Sequence, residues 1–357
     1  MRLLTWTVPQ TTRACALLFG ALVTVTWQSP PVLSAQASTQ PQSAAPTTGA
    51  CHVSPIVDNL DKAAYFYHDL LGLNLVPEPP PGPLPWDTNP GHLHLHGMPQ
   101  AKLRFIGARM PGVFCGVELV EFANIDRRFV HRRLQDPDAV TLILLVRDLD
   151  GLFARLKEAR VPVVTSGGAP MAVGTAKTRV VIVKDPDGHF VELAQLDPLP
   201  QTTAAASSNV IGIRLRVTVP DTERAADYYR RVLGIDPKVG AFARNEQVMA
   251  MMGLPASAEY RLSTAQVPGS ALLLEFLEFK GLESTRIASR VQDPGSYRLQ
   301  LNVPDLDSTI AALKGAGGSV ISTGGEPVSM TFGTRPWRLA VAADLNNLFL
   351  ILQQRLP

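Results

Sequence analysis

The 357-residue chain has few cysteines, 3 in all, few aromatics at 6% and little charge, 18% of residues with a formal net of +2. So few cysteines exclude a disulfide-stapled miniature scaffold, and with no CxxC pair there is no zinc ribbon or dithiol redox motif. Near-balanced charge gives no reason to expect nucleic acid or an anionic membrane as partner, and the basic pairs Arg127-Arg128 and Arg132-Arg133 read as solvated surface. A Walker phosphate loop and a Gly-x-Ser-x-Gly elbow are also missing. The glycine-rich "GGAPMAVGTAK" and "GAGGSVISTGG" fall between a helix and a strand and read as loops. What is present is a hydrophobic content of 46%, enough in a chain of this length for two domains, each with its own core.

The N-terminus carries the apolar run "ACALLFGALVTVTW", Ala14 to Trp27, behind Arg2 and Arg13. It suits a signal-peptide core and is short for a membrane span, and "AQA" at Ala35 to Ala37 offers small residues for cleavage. Residues 1–37 are therefore expected to be a signal peptide, with an uncleaved anchor as the alternative. After cleavage the chain is expected to be exported, periplasmic or secreted, and free of the membrane. The polar stretch 38–50, "STQPQSAAPTTGA", reads as a disordered tether, and 198–209, "PLPQTTAAASSN", as a linker between two halves, 51–197 and 210–357.

The halves repeat one another. "RRLQDPDAVTLILLVRDLDGLFARLKEARV" aligns with "SRVQDPGSYRLQLNVPDLDSTIAALKGAGGSV", and "LHGMPQAKLRF" with "MMGLPASAEYRL". Each half holds a smaller repeat, in which a β-rich run leads through an Asp-containing turn into an amphipathic helix and then short alternating strands. In "VDNLDKAAYFYHDLLGL", Leu60, Ala64, Tyr67 and Leu71 share one helical face, Asp58 or Asn59 is a natural N-cap and Gly72 a natural C′ residue. Leu149, Phe153, Leu156 and Ala159 repeat the pattern. Strand, helix and three strands thus occur four times.

The marks "HVSPIVDNLDKAAYFYHDLLGL" and "VKDPDGHFVELAQL" resemble the vicinal oxygen chelate superfamily: glyoxalase I, bleomycin-resistance proteins and extradiol dioxygenases. The resemblance covers nearly everything after residue 50. It implies an α+β fold in which four βαβββ modules form two open, barrel-like, eight-stranded domains, 51–197 and 210–357. It also implies metal ligands from the first and last strand of each unit. At those positions stand His52, Glu118 and Glu192, with Thr141 where a histidine or glutamate is usual. One imidazole and two carboxylates suit a divalent ion such as Mn²⁺, Fe²⁺, Ni²⁺ or Zn²⁺. In the second half the same positions hold Arg214, Glu275, Arg298 and Ile351, so that half is expected to be metal-free, its arginines pairing with the glutamate or binding an anionic ligand.

With the N-terminal signal, the resemblance therefore leads to the expectation of an exported, divalent-metal-dependent, lyase- or isomerase-type enzyme acting on a small oxygen-chelating substrate, as a monomer or homodimer. Glu192 or Glu118 would move a proton, and Thr141, Arg214 and Arg298 would touch the substrate. A non-catalytic small-molecule-binding protein is the alternative; an extradiol dioxygenase is disfavoured by Arg214, Arg298 and Ile351. By strand parity Cys51 and Cys115 point away from the metal; in the family fold their strands are neighbours, so a disulfide and two separate thiols both remain open. His92, His94 and His96 suggest a packed or lid segment, one acid–base group reaching the pocket, or a second metal site. "VPEPPPGPLPW", 76–86, reads as a stiff loop at the cleft edge. His189 is expected to pack or to face solvent.

Overall fold

The computed structural model describes residues 46–76, 82–113, 115–174 and 178–357. The expected signal peptide, the first part of the expected tether (38–45) and residues 77–81 of the proline-rich loop lie outside the described residues. Four modules follow one another, three of them βαβββ and the fourth with one further strand, which makes its sheet nine-stranded and not eight-stranded as expected. The first is β1 (Gly49–Val57), α1 (Leu60–Ala64) widening into a π turn over Tyr65–Leu70, β2 (Leu75–Val76), α2 (Pro90–Leu95), β3 (Lys102–Ala108) and β4 (Gly116–Ala123). The second is β5 (Val140–Val146), α3 (Leu149–Glu158), β6 (Met171–Val173), β7 (Thr178–Lys184) and β8 (Phe190–Gln195). The third is β9 (Val210–Thr218), α4 (Thr222–Leu233), β10 (Lys238–Val239), α5 (Glu246–Met251), β11 (Glu259–Gln266) and β12 (Leu273–Lys280). The fourth is β13 (Tyr297–Asn302), α6 (Leu306–Gly315), β14 (Ser319–Val320), β15 (Val328–Phe332), β16 (Arg335–Ala343) and β17 (Phe349–Arg355).

One local device starts every module's main helix. Asn59, Asp148, Asp221 and Asp305 sit in extended backbone and accept from amides of the first helical turn, satisfying donors that the helix itself cannot. Of the two candidate caps in the first module, Asn59 is the one used. The expected tether is shorter than foreseen: Thr47 is buried and donates from its hydroxyl to the Leu233 carbonyl at 2.7 Å, and Gly49–Ala50 already belong to β1.

The strands form two sheets. Sheet A runs β14-β16-β17-β13-β1-β4-β3-β2, with β15 added on β16; sheet B runs β10-β11-β12-β9-β5-β8-β7-β6. Sheet A thus joins modules one and four through the antiparallel pair β1–β13, and sheet B joins modules two and three through β5–β9. This corrects the expected grouping: neither 51–197 nor 210–357 closes a sheet by itself. The linker 198–209 connects two modules of the same sheet, while the segments after β4 and β12 cross between sheets. Alternation within a strand says which face is buried, not which edge it meets, so consecutive pairing was the default and the structure departs from it.

Within each half the modules meet through their helices instead. The α1 extension packs on α3, with Arg155 Nε donating to the Leu70 carbonyl at 3.2 Å, and α4 packs on α6. Side chains alternate across the strands. In β17, Leu350 and Leu352 join the large core behind the sheets, while Phe349 and Ile351 enter the hollow of sheet A.

Polar residues tie the crossings down. Asp185, in the Asp-Pro-Asp-Gly turn, accepts from the amides of Asp187 and His189 and from the Tyr67 hydroxyl; Asp344 does the same with Asn346, Leu348 and Tyr229. His189 packs, as expected: its Nε2 donates to the Ile56 carbonyl at 3.0 Å, and burial pushes it down to about 4. Arg132 is not solvated surface; it is buried and donates to the Ile287 carbonyl and the Ser289 hydroxyl, both at 2.9 Å. Asp138, at φ 69°, has neither carboxyl oxygen hydrogen-bonded, and burial pushes it up to about 7 against the pull of Arg286.

Candidate functional site

The hollow of sheet A holds a cavity of about 490 Å³, lined by residues of modules one and four. Its position follows from a fault in β1. The pairing of β1 with β13 shifts register between Ala50 and Val53, and a bulge breaks the alternation of side chains. As a result Cys51 and His52, adjacent in sequence, both line the cavity. The parallel partner β4 aligns Gly116 with His52, bringing Cys115 and Glu118 to the same wall. Cys51 and Cys115 are joined as a disulfide. The expectation that both cysteines point away from the site is corrected by the bulge.

His52 Nδ1 donates to Gln300 Oε1 at 3.0 Å and lies 3.4 Å from Glu118 Oε1. Glu118 Oε2 accepts from the Ser54 hydroxyl and from Arg298 Nη2, each at 3.2 Å. A chain of amides continues outward, Gln300 donating to Gln353 and Gln353 to Asn302. Arg298 is only 2% exposed and also donates through Nη1 to His96 Nε2. His96 Nδ1 in turn donates to the His92 carbonyl at 2.8 Å. Burial, then the Arg298 charge, holds His96 well below the usual imidazole range, so it is a neutral acceptor fixed in one tautomer. It anchors Arg298 and is not a free acid or base. His92 pairs with Asp87 and stacks on Phe332 at the rim, and His94 is exposed. Above this polar floor the walls are apolar, with Leu95, Leu103, Phe105, Leu339 and Ile351, and exposed Arg335 lies at the mouth near Trp337.

Sheet B holds a different cluster. Glu192 on β8 and Glu275 on β12 face one another across Arg216 of β9, whose Nη1 reaches Glu192 Oε2 at 2.5 Å and whose Nε reaches Glu275 Oε2 at 2.8 Å. Arg214 stands 3.6 Å from Glu275, and Thr141 pairs in register with Arg216. Burial works against the Arg216 charge, but the two carboxylates hold its guanidinium above its ordinary value. Two cations thus balance two anions, and the hollow beyond is filled by Met249, Met251 and Met252.

The expected three-ligand set therefore does not assemble. His52 and Glu118 lie in sheet A; Glu192, with Thr141 and Arg214, lies in sheet B; Arg298 belongs with His52. This also separates the two expected catalytic glutamates, because module one meets module four and not module two. The groups that do converge fit a resident divalent ion poorly. They offer one imidazole, whose Nδ1 is already donating, and one carboxylate already holding a guanidinium, with only neutral amide oxygens beyond. In sheet B a guanidinium occupies the space between the carboxylates. Gln300, Gln353, Ser54 and Arg216 were missed in the sequence. Gln300, Gln353 and Arg216 each stand two residues beyond a foreseen inward position, Arg298, Ile351 and Arg214, so strand alternation could have found them.

Residues 50–193 match the model of the Glyoxalase/Bleomycin resistance protein/Dioxygenase superfamily. No curated protein matches the chain in sequence. Among solved structures, glyoxalase I from Zea mays superposes with a TM-score of 0.52 at 16% identity, over 86% of this chain and 92% of that one. A proposed dioxygenase from Bacillus subtilis subsp. subtilis str. 168 gives a TM-score of 0.52 at 12% identity, over 88% and 87%. At such identities the likeness is one of fold.

Proposed function

We propose, from the premise that the chain belongs to the glyoxalase, bleomycin-resistance and dioxygenase superfamily, that it binds a small organic molecule in the cavity of sheet A. Members of the superfamily typically hold a divalent metal and act on or bind small molecules. Here the reading rests on one observation: a cavity of about 490 Å³ with apolar walls and a compact polar floor of His52, Glu118 and Arg298. Such a shape suits a ligand with an apolar or aromatic body and an oxygen-bearing head. The head would meet His52 and Gln300, and the exposed Arg335 guanidinium favours an anionic group at the mouth. His52 and Glu118, 3.4 Å apart, are close enough to pass a proton to or from a bound oxygen, which leaves isomerase- or lyase-type chemistry open to the same floor. The disulfide supports export, since such bonds persist in oxidising compartments.

Metal-dependent catalysis is the reading this floor disfavours, because His52 Nδ1 already holds Gln300 at 3.0 Å and Glu118 Oε2 already holds Arg298 at 3.2 Å. Thermal melts against a panel of aromatic carboxylates and α-keto acids, each with and without chelator, separate the two. The first reading expects stabilisation that persists in chelator, of about 2.7 kcal/mol at a hundredfold excess over Kd. Stabilisation that disappears in chelator and returns with Mn²⁺, Ni²⁺, Zn²⁺ or Fe²⁺ would favour metal dependence instead.

A further inference from the structure

We propose that Cys51, Cys115 and His52 form a zinc site that exists only when the disulfide is reduced. This goes beyond the ligand-binding reading and does not depend on it. One ligand atom from each of Cys51, His52 and Cys115 lies within 4.8 Å of the others, and Cys51 Sγ is 3.8 Å from His52 Nδ1. Glu118 stands outside this group: its Oε1 is 3.4 Å from the same nitrogen, and its other oxygen is held by Ser54 and Arg298. Two sulfurs and one imidazole nitrogen supply three of the four ligands zinc prefers, and the cavity leaves the fourth position to water.

As a disulfide, neither sulfur is a thiolate, so both soft ligands are withheld. A dithiol reductant supplies two electrons and two protons: the S–S bond breaks, Cys51 and Cys115 each become a thiol, and the reductant leaves as its own disulfide. Zinc then displaces the two thiol protons to solvent and forms two Zn–S bonds. The His52 ring moves its proton from Nδ1 to Nε2, exchanging the hydrogen bond to Gln300 for a Zn–N bond. Access is provided for, because Cys115 is only partly buried and both sulfurs line the open cavity. The β1 bulge is what places three ligands on two adjacent residues and one neighbour, which a regular strand would not do.

The test uses the full chain, metal-stripped, oxidised or reduced with a phosphine, titrated with Zn²⁺ against a chromophoric chelator and with Co²⁺ alone. Expected are one zinc per chain in the reduced protein, bound at least about 100-fold more tightly than in the oxidised protein, and a thiolate-to-cobalt absorption band. The Cys51→Ser/Cys115→Ser variant is expected to lose both, and near-UV circular dichroism of the reduced chain should stay native. Equal zinc affinity in the two redox states, or tight zinc binding by the double-serine variant, would overturn the proposal. So would binding only by a reduced chain that has lost its native spectrum. Ligand stabilisation of the oxidised protein in chelator reads the functional proposal separately, so either can fail alone.

Discussion

Arg216 bridges the two carboxylates of the sheet B cluster, with Arg214 beside Glu275. It is buried between Glu192 and Glu275, where either carboxylate alone would be costly to desolvate. Arg216→Met should destabilise the protein by about 3–5 kcal/mol, read from urea unfolding, because it leaves two buried carboxylates facing one another. Adding Glu192→Gln and Glu275→Gln should restore most of that loss; if it does not, the guanidinium's role is packing and not charge. Asp138 acts in the opposite sense. Burial holds its folded value at about 7, above its ordinary 3.8, so the folded state retains a proton that the unfolded chain releases. Its contribution is fully present below about pH 4 and is lost as pH rises through about 7. Asp138→Asn keeps a residue that tolerates the φ of 69°. It should raise the melting temperature at about pH 8 and flatten the decline between about pH 5 and 8; an unchanged profile would assign that decline to other groups.

Elements were legible where the signal was local. The four caps were written as Asp or Asn ahead of a helical apolar pattern, and each starts its helix. On α3 the buried face is Leu149, Leu152 and Leu156, with Phe153 half-buried and Ala159 exposed, a small rotation of the face expected from spacing. Of the positions taken from the family resemblance, His52, Glu118 and Arg298 line the hollow of sheet A, while Thr141, Glu192 and Arg214 lie in the cluster of sheet B. What could not be read was a one-residue bulge in β1, since nothing in "GACHVSP" distinguishes it from a regular strand. Parity reasoning therefore turned Cys51 away from a cavity that it lines. His96 likewise gave no sign that burial, and then the charge of an arginine 202 residues away, would hold it neutral.

At the scale of the molecule, the four-module fold was legible from its repeats, but the partnership of modules was not, because pairing of edges is a long-range choice. That choice moved Glu192 out of the site foreseen for it. It also makes the two halves inseparable, since each sheet takes one module from either side of the linker 198–209. A single proteolytic cut in that linker should leave two fragments that co-elute under native conditions and part only in denaturant. Separate native peaks would contradict the shared sheets.

The same exchange sets an order of assembly. Sheet B is drawn from one uninterrupted run, 140–280, whereas sheet A must bring β1 to β13, so that His52 meets Gln300 across 248 residues. Closing the longer loop carries the larger entropic penalty, and a translating ribosome releases the fourth module last. The cavity of sheet A is therefore the late event of folding, completed only when the far end of the chain returns to its beginning, on a sheet B already able to form.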